Sequence, residues 1–262
     1  MCDAGIQGYK DNMITRFKDI LMIAGLLMIL GSCGEGEKGT ASIEGRFEGG
    51  ADLKLKLEEL DPMGTVPIDS LATGRDGSFR FAISPKEPGF YIVKTGDNRM
   101  TVVTVAPGDT VQLSCNAADF PGKVGISGPE DARLLGEFFA FSSRQKARSD
   151  SLQEVLDLHR GDSLFVALTL KADTIFKQIW NEQRAYETSF LEQHPTSFAA
   201  LIVVNYSFGV RPVLSMDEDM AWYKRVDSAL AARFPGNRHV VYLTKRISEF
   251  EREAKLNEAA KR

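Results

Sequence analysis

The sequence predicts an α+β protein, with an N-terminal antiparallel β-sandwich over residues 41–128 followed by an α-helical domain over residues 129–262. Three observations predict it. Up to Gly128, short runs of alternating apolar and polar residues are punctuated by Gly, Pro and Asp, the texture of a sandwich or barrel. Beyond Gly128 the apolar period becomes helical. At the junction, Gly128-Pro129-Glu130-Asp131 reads as a helix start, with Pro suited to the first turn and two acids at the positive end of the helix dipole.

In the first half, Ser42 to Glu48 places Ile43, Gly45 and Phe47 on one face, and Leu53, Leu55 and Leu57 alternate with Lys54, Lys56 and Glu58 in a half-buried strand. Arg75-Asp76-Gly77-Ser78 supplies a turn whose Gly accepts positive φ, leading into Phe79, Phe81 and Ile83 on alternate positions. Phe90 to Thr95, Thr101 to Ala106 and Thr110 to Cys115 are three further strands, the last two joined by Pro107-Gly108-Asp109, and Lys123 to Ser127 is a short final one. Seven or eight strands are usual for a sandwich.

In the second half, Leu134, Leu135, Phe138 and Phe139 gather on one helix face, with Phe141 following. A long helix is expected from Asp162 to Gln193 with Leu164, Leu168, Ile175, Ile179, Tyr186 and Phe190 inward, stopped by His194-Pro195. Ser197 to Asn205, Asp217 to Phe234 and Asn237 to Lys255 complete the helical set, the last two separated by Pro235-Gly236.

Ahead of the fold, Leu30-Gly31-Ser32-Cys33 closes the apolar run Ile20 to Leu30 and precedes a Gly/Glu-rich stretch. Eleven residues make a helix of about 16 Å, roughly half of the ~30 Å hydrocarbon core, while Arg16 and Lys18 before the run are what a secretory signal requires. Residues 1–32 are therefore expected to be a lipoprotein signal peptide, with Met13 the better start codon, Cys33 the lipidated first residue of the mature protein and residues 33–40 a flexible tether. Double acylation gives stable membrane attachment. Gly34 after the lipidated Cys favours the outer membrane, on its periplasmic side or at the cell surface. With Cys33 acylated, Cys115 is the remaining thiol and no intramolecular disulfide is expected. A net charge of −4 offers no electrostatic footprint for nucleic acid.

The order Ile68-Asp69-Ser70, Asp76-Gly77-Ser78-Phe79-Arg80-Phe81, Pro88-Gly89-Phe90-Tyr91, Pro107-Gly108-Asp109 and Ile126-Ser127-Gly128 resembles the domain of unknown function 4369. The helical stretches Phe190 to Ala200 and Phe234-Pro235-Gly236-Asn237 are similar to the spacer in that family. The resemblance implies a lipid-anchored β-sandwich and helical spacer of the Gram-negative envelope, commonly set ahead of a thioredoxin-like domain. These are turn and packing motifs, informative on fold and nearly silent on chemistry.

A dithiol reductase needs an attacking and a resolving thiol, and the sequence shows no Cys-x-x-Cys pair. Cys115 sits at an alternating strand position with nothing basic beside it in sequence, so it reads as a small core residue. His159, His194 and His239 lack metal-type spacing; no metal, cofactor or catalytic residue is assigned. His194 before Pro195 suits a helix end, Glu58-Glu59 a strand's solvent edge, and Asp217-Glu218-Asp219 a helix start. Arg160-Gly161-Asp162 spells an integrin-binding tripeptide but reads as a loop Gly and a capping Asp. Six triads of Asp, Ser or Thr, and an aliphatic residue resemble an envelope O-glycosylation motif, with acceptors Ser70, Thr110, Ser151, Ser163, Thr174 and Ser228.

The expected function is a non-enzymatic outer-membrane lipoprotein acting as a binding or scaffold module of the envelope, with a membrane partner through Cys33 and an envelope protein partner. The alternative is a truncated or split relative of a thiol-disulfide oxidoreductase that works with a separate thioredoxin-like partner.

Overall fold

The computed structural model describes residues 39–260. The expected signal peptide, Met13 and the lipidation site Cys33 lie outside the described residues, as does the tether up to Lys38.

Eight strands build two four-stranded sheets. They are β1 (Ala41–Glu48), β2 (Lys54–Asp61), β3 (Gly64–Ala72), β4 (Ser78–Ile83), β5 (Gly89–Thr95), β6 (Met100–Val105), β7 (Thr110–Asn116) and β8 (Gly125–Ser127). One sheet has the order β4-β1-β7-β8 and the other β3-β2-β5-β6. The second is antiparallel throughout, but in the first sheet β1 and β7 pair in parallel, Ile43 beside Val111 and Phe47 beside Cys115. The chain leaves that sheet after β4, lays down β5 and β6 in the other, and returns; so long a connection permits the parallel direction that a hairpin forbids.

Alternation decides what the sheets bury. Ile43, Phe47, Leu55, Leu57, Phe81, Val93, Val111 and Leu113 fill the space between the sheets. The strand absent from the sequence reading is β3. It is an edge strand, exposed along nearly its whole length and interrupted by Pro67, so it carries no periodic burial signal.

The helices are α1 (Glu130–Leu158), α2 (Phe165–Gln193), α3 (Ala200–Val204), α4 (Met216–Arg233) and α5 (Arg238–Ala260), with a two-residue hairpin of β9 (Ser207–Phe208) and β10 (Arg211–Pro212) between α3 and α4. Their core gathers Leu135, Phe138, Leu191, Phe198, Val204, Leu214, Val226 and Leu230, and it includes Phe90 from β5. Three layers result: the β1 sheet, the β5 sheet, and the helices. Gly39 onward forms one compact unit.

Two expectations about α2 are corrected. The helix starts at Phe165 rather than Asp162, because Asp162 turns its carboxylate onto the Leu164 N–H and makes a local turn. Leu164 and Ile175 are not inward but 56% and 40% exposed, whereas Ile179 and Phe190 are buried as expected. Beyond Gln145, Leu156 is the sole buried residue of α1, and before Ile179, Ala172 is the sole buried one of α2. Among the described residues the distal parts of these helices are mostly exposed, and together they form a two-helix arm. Residues 146–158 of α1 span about 20 Å of it at 1.5 Å per residue.

A Cβ placed on Gly45 would stand 1.9 Å from the Leu113 carbonyl oxygen across the parallel ladder. Gly45→Ala is expected to push β1 off β7 and cost about 3 kcal/mol, read as a lowered urea midpoint; an unchanged midpoint would refute the close approach.

Candidate functional site at the sandwich–helix junction

Strand β5 sends successive side chains to opposite faces. Phe90 enters the helical core, stacking on Phe198 at 4.8 Å between ring centroids and meeting His239 edge-on at 5.1 Å. Tyr91 enters the sandwich core. The two rings thus lie on opposite faces of the strand.

Where α5 begins, Asn237 serves both layers. Its Oδ1 accepts the N–H groups of His239 and Val240 at 3.0 and 3.4 Å, capping the helix, while its Nδ2 donates to the Pro88 carbonyl at 2.8 Å. Arg238, the next residue, reaches back to the sheet. Its guanidinium pairs with Glu59, with Asp61 at 3.3 Å and with Glu87 at 3.3 Å. The Glu87 contact is an ion pair without hydrogen-bond alignment, since Nε finds no hydrogen-bond acceptor. Glu59 thus faces a cation rather than the solvent edge predicted for it, and Glu58 pairs with Lys94 at 3.6 Å.

These groups line a cleft of about 480 Å³ shared by Ile68, Pro85, Glu87, Tyr91, Glu59 and Arg238. Burial, with Glu59 adding, pushes the Tyr91 phenol up to about 12, so it stays a neutral donor. Burial, reinforced by the Arg238 charge, lowers His239 to about 4 and keeps its ring neutral. The cleft offers one guanidinium beside the carboxylates of Glu59 and Glu87, a phenol and an apolar wall. Among the described residues no cluster of His, Cys, Asp and Glu is arranged to hold a metal ion.

The other residues singled out by sequence are scattered. Cys115 is half-buried on β7, and burial pushes its thiol up to about 11. His194 closes α2 with its backbone N–H, donated to the Phe190 carbonyl at 2.8 Å. Asp217 and Glu218 sit in the first turn of α4, where the Ser215 hydroxyl caps the Glu218 N–H. Asp219 is more than part of a helix start: it is buried, and its carboxylate takes a two-pronged grip from Arg184. Arg160-Gly161-Asp162 forms the exposed turn of the arm. All six candidate acceptor hydroxyls, on Ser70, Thr110, Ser151, Ser163, Thr174 and Ser228, belong to exposed residues.

Sequence reasoning missed Arg238. Its one signal was position, directly after the Pro235-Gly236-Asn237 turn, and nothing in the local pattern names its partners 151 to 179 residues away. It also missed Gln183 and Glu187, polar residues fully buried on the inward face of α2.

No family model matches the chain, and no curated protein matches it. Among solved structures, a 9R-lipoxygenase from Cyanothece PCC8801 is similar at 12% identity over 43% of this chain and 24% of that one, with a TM-score of 0.22. A superposition of that quality carries no argument about fold or chemistry.

Arg238→Gln is expected to cost about 1–2 kcal/mol, more than an exposed pair because three carboxylates lose their shared cation. Added salt should restore part of the loss by screening their repulsion; a variant as stable as wild type at low salt would show the cluster to be energetically idle. The raised Cys115 thiol leaves about a hundredfold less thiolate at neutral pH than an ordinary one. Alkylation of folded protein should slow by that factor and recover in denaturant, and rapid labelling of folded protein would contradict it.

Proposed function

We propose that the chain is a non-enzymatic outer-membrane lipoprotein, a binding or scaffold module of the bacterial envelope attached through acylated Cys33. The observation that carries the binding role is the arm. From a body whose two cores are joined through Phe90, Asn237 and Arg238, the α1–α2 hairpin extends with Leu158, Leu164, Val166 and Leu170 exposed near its turn. Apolar side chains on a stiff projection are suited to docking another protein.

The attachment rests on the Leu30-Gly31-Ser32-Cys33 motif and the short apolar run before it. Among the described residues no helix is long and apolar enough to cross a membrane. The resemblance to the domain of unknown function 4369 supports the same envelope reading. Cys115, with its raised thiol, is a poor candidate for redox chemistry of its own, which favours a scaffold over the split-oxidoreductase alternative. We further propose that one or more of the six exposed hydroxyls carries an O-linked glycan.

The native mature protein should have an intact mass that includes acyl chains on Cys33, and Cys33→Ala should move from the membrane to the soluble periplasmic fraction. A variant that stays membrane-bound would sink the lipoprotein reading. A photocrosslinker at Leu158 or Val166 should capture an envelope protein in cells, and crosslinks confined to the sandwich would remove the arm from the docking surface.

A further inference from the structure

At the root of the arm, the helical core holds two polar side chains with no exposure at all, Gln183 and Glu187, one turn apart on α2. The Gln183 amide nitrogen uses both of its hydrogens. One goes to the Ser142 hydroxyl of α1 at 3.0 Å, the other to Glu187 Oε1 at 2.9 Å. Two atoms remain without partners: Gln183 Oε1 and Glu187 Oε2, both acceptors if the acid is ionised. A carboxylate with one oxygen orphaned in an apolar core is the costliest arrangement those atoms allow. A neutral carboxylic acid removes the difficulty, because its O–H supplies the one missing donor and the amide carbonyl is the acceptor it needs.

We propose that Glu187 is held as the neutral acid, its proton on Oε2 bonded to Gln183 Oε1, so that acid and amide close a ring of two hydrogen bonds within α2 and fix the amide whose other N–H crosses to Ser142 of α1 at the root of the arm. Proton and bonds balance: the amide gives N–H to Oε1 and receives O–H from Oε2, while its second N–H holds Ser142.

The surroundings agree. On α2, Arg184 is committed elsewhere, donating to the Val213 carbonyl at 2.8 Å and gripping Asp219 of α4. Asp219 also accepts the Ser215 N–H and stays anionic beside its arginine, which makes a second negative charge at Glu187 less favourable. Tyr223 of α4 spends its hydroxyl on the Leu214 carbonyl at 3.0 Å, with Arg246 of α5 acting on it from the far side. Tyr206, between α3 and β9, is a partly buried phenol that burial keeps neutral. From α1 come only the uncharged Ser142 and Gln145 among the buried polar groups. Burial pushes Glu187 up to about 8, and the Arg184 charge, which pulls the other way, only partly opposes it because that guanidinium is bonded to Asp219.

The sign follows from the proton count. Between the ordinary carboxylate value of 4.5 and about 8, the folded chain holds a proton that the unfolded chain has lost. Stability from this group therefore falls as pH rises, by about tenfold in the folding constant per pH unit, and levels off above 8. His239 works oppositely and elsewhere: lowered from 6.5 to about 4, it removes stability as pH falls through that interval. Across pH 6.5 to 8 His239 adds only about twofold in the opposite direction, and a variant at Glu187 shares it, so the difference between the two proteins isolates Glu187.

The test is denaturant unfolding of the detergent-solubilised mature protein across that interval, for wild type and Glu187→Gln. The glutamine keeps a ring, since its own amide can donate to Gln183 Oε1, but it cannot titrate. Relative to the variant, wild type is expected to lose about fifteenfold in folding constant from pH 6.5 to 8. Equal slopes in the two proteins overturn the proposal. Should the variant fail to fold, infrared spectra of wild type alone decide: a protonated carboxylic C=O band from labelled glutamate at pH 6.5 that vanishes above pH 9 supports it, and no such titrating band overturns it.

Discussion

Strand β5 is buried on both faces, and the rest of the molecule depends on that. An antiparallel sheet with one wet face needs only a second sheet to close its core. Here Tyr91 and Val93 satisfy the sandwich while Phe90, with partial help from Leu60 and Val102, presents an apolar outer face that water cannot cover favourably. The helices supply the cover. Phe198 stacks on Phe90, and the short α3 that follows brings Val203 and Val204 beneath it. The helical half is thus a third layer rather than a separate body, and removing it would expose the central sheet.

Polar groups fix how that third layer sits. Hydrophobic contact is non-directional, so Phe90 on Phe198 tolerates sliding; Asn237 and Arg238 do not. Asn237 can cap α5 and hold Pro88 together only at one position of the helix end. Arg238 adds a planar fork among Glu59, Asp61 and Glu87. Asn237 ends the turn before α5 and Arg238 opens that helix, so the sequence separation they bridge is most of the described chain. Geometry of this kind makes the junction cleft a fixed shape, as a recognition site requires.

What could be read from the sequence follows from what is local. Period-two burial located β1, β2, β4, β5, β6 and β7, and the helical period located the start of α1 and, to within about five residues, α2, α4 and α5, because each element's burial is written in its own spacing. Strand β3 escaped because an exposed edge writes no such pattern. The exposed Leu164 and Ile175 were misplaced for the converse reason: apolar periodicity says that a face could be buried, and only tertiary structure says whether anything lies opposite. The parallel pairing of β1 with β7 depends on the path of the intervening chain. Arg238's partners, and the burial of Gln183 and Glu187, are long-range facts of the same kind. The lipid-attachment motif lies outside the described residues, and its reading remains one of sequence.

The arm raises the question of what holds it straight. Thirteen residues of helix are marginal alone, and among the described residues little of either half of the arm is buried. Its exposed ion pairs, Lys146 with Asp150 and Lys177 with Asp173, are of the i,i+4 sort and contribute a few tenths of a kcal/mol each. Cross-helix contacts are concentrated at the root instead, where Gln145 and Arg148 reach Glu182 and Ser142 meets Gln183. Glu182 is accordingly held down to about 2, mainly by its hydrogen bond from Arg148. A lever is aimed by its fulcrum. Displacing either helix by one turn at this point would separate Ser142 from Gln183 and leave buried polar atoms without partners, a cost larger than anything the outer arm could recover. The direction in which the apolar tip points is therefore set by polar chemistry inside the helical core, and a partner seated on the tip would be positioned relative to the sandwich by the same few atoms.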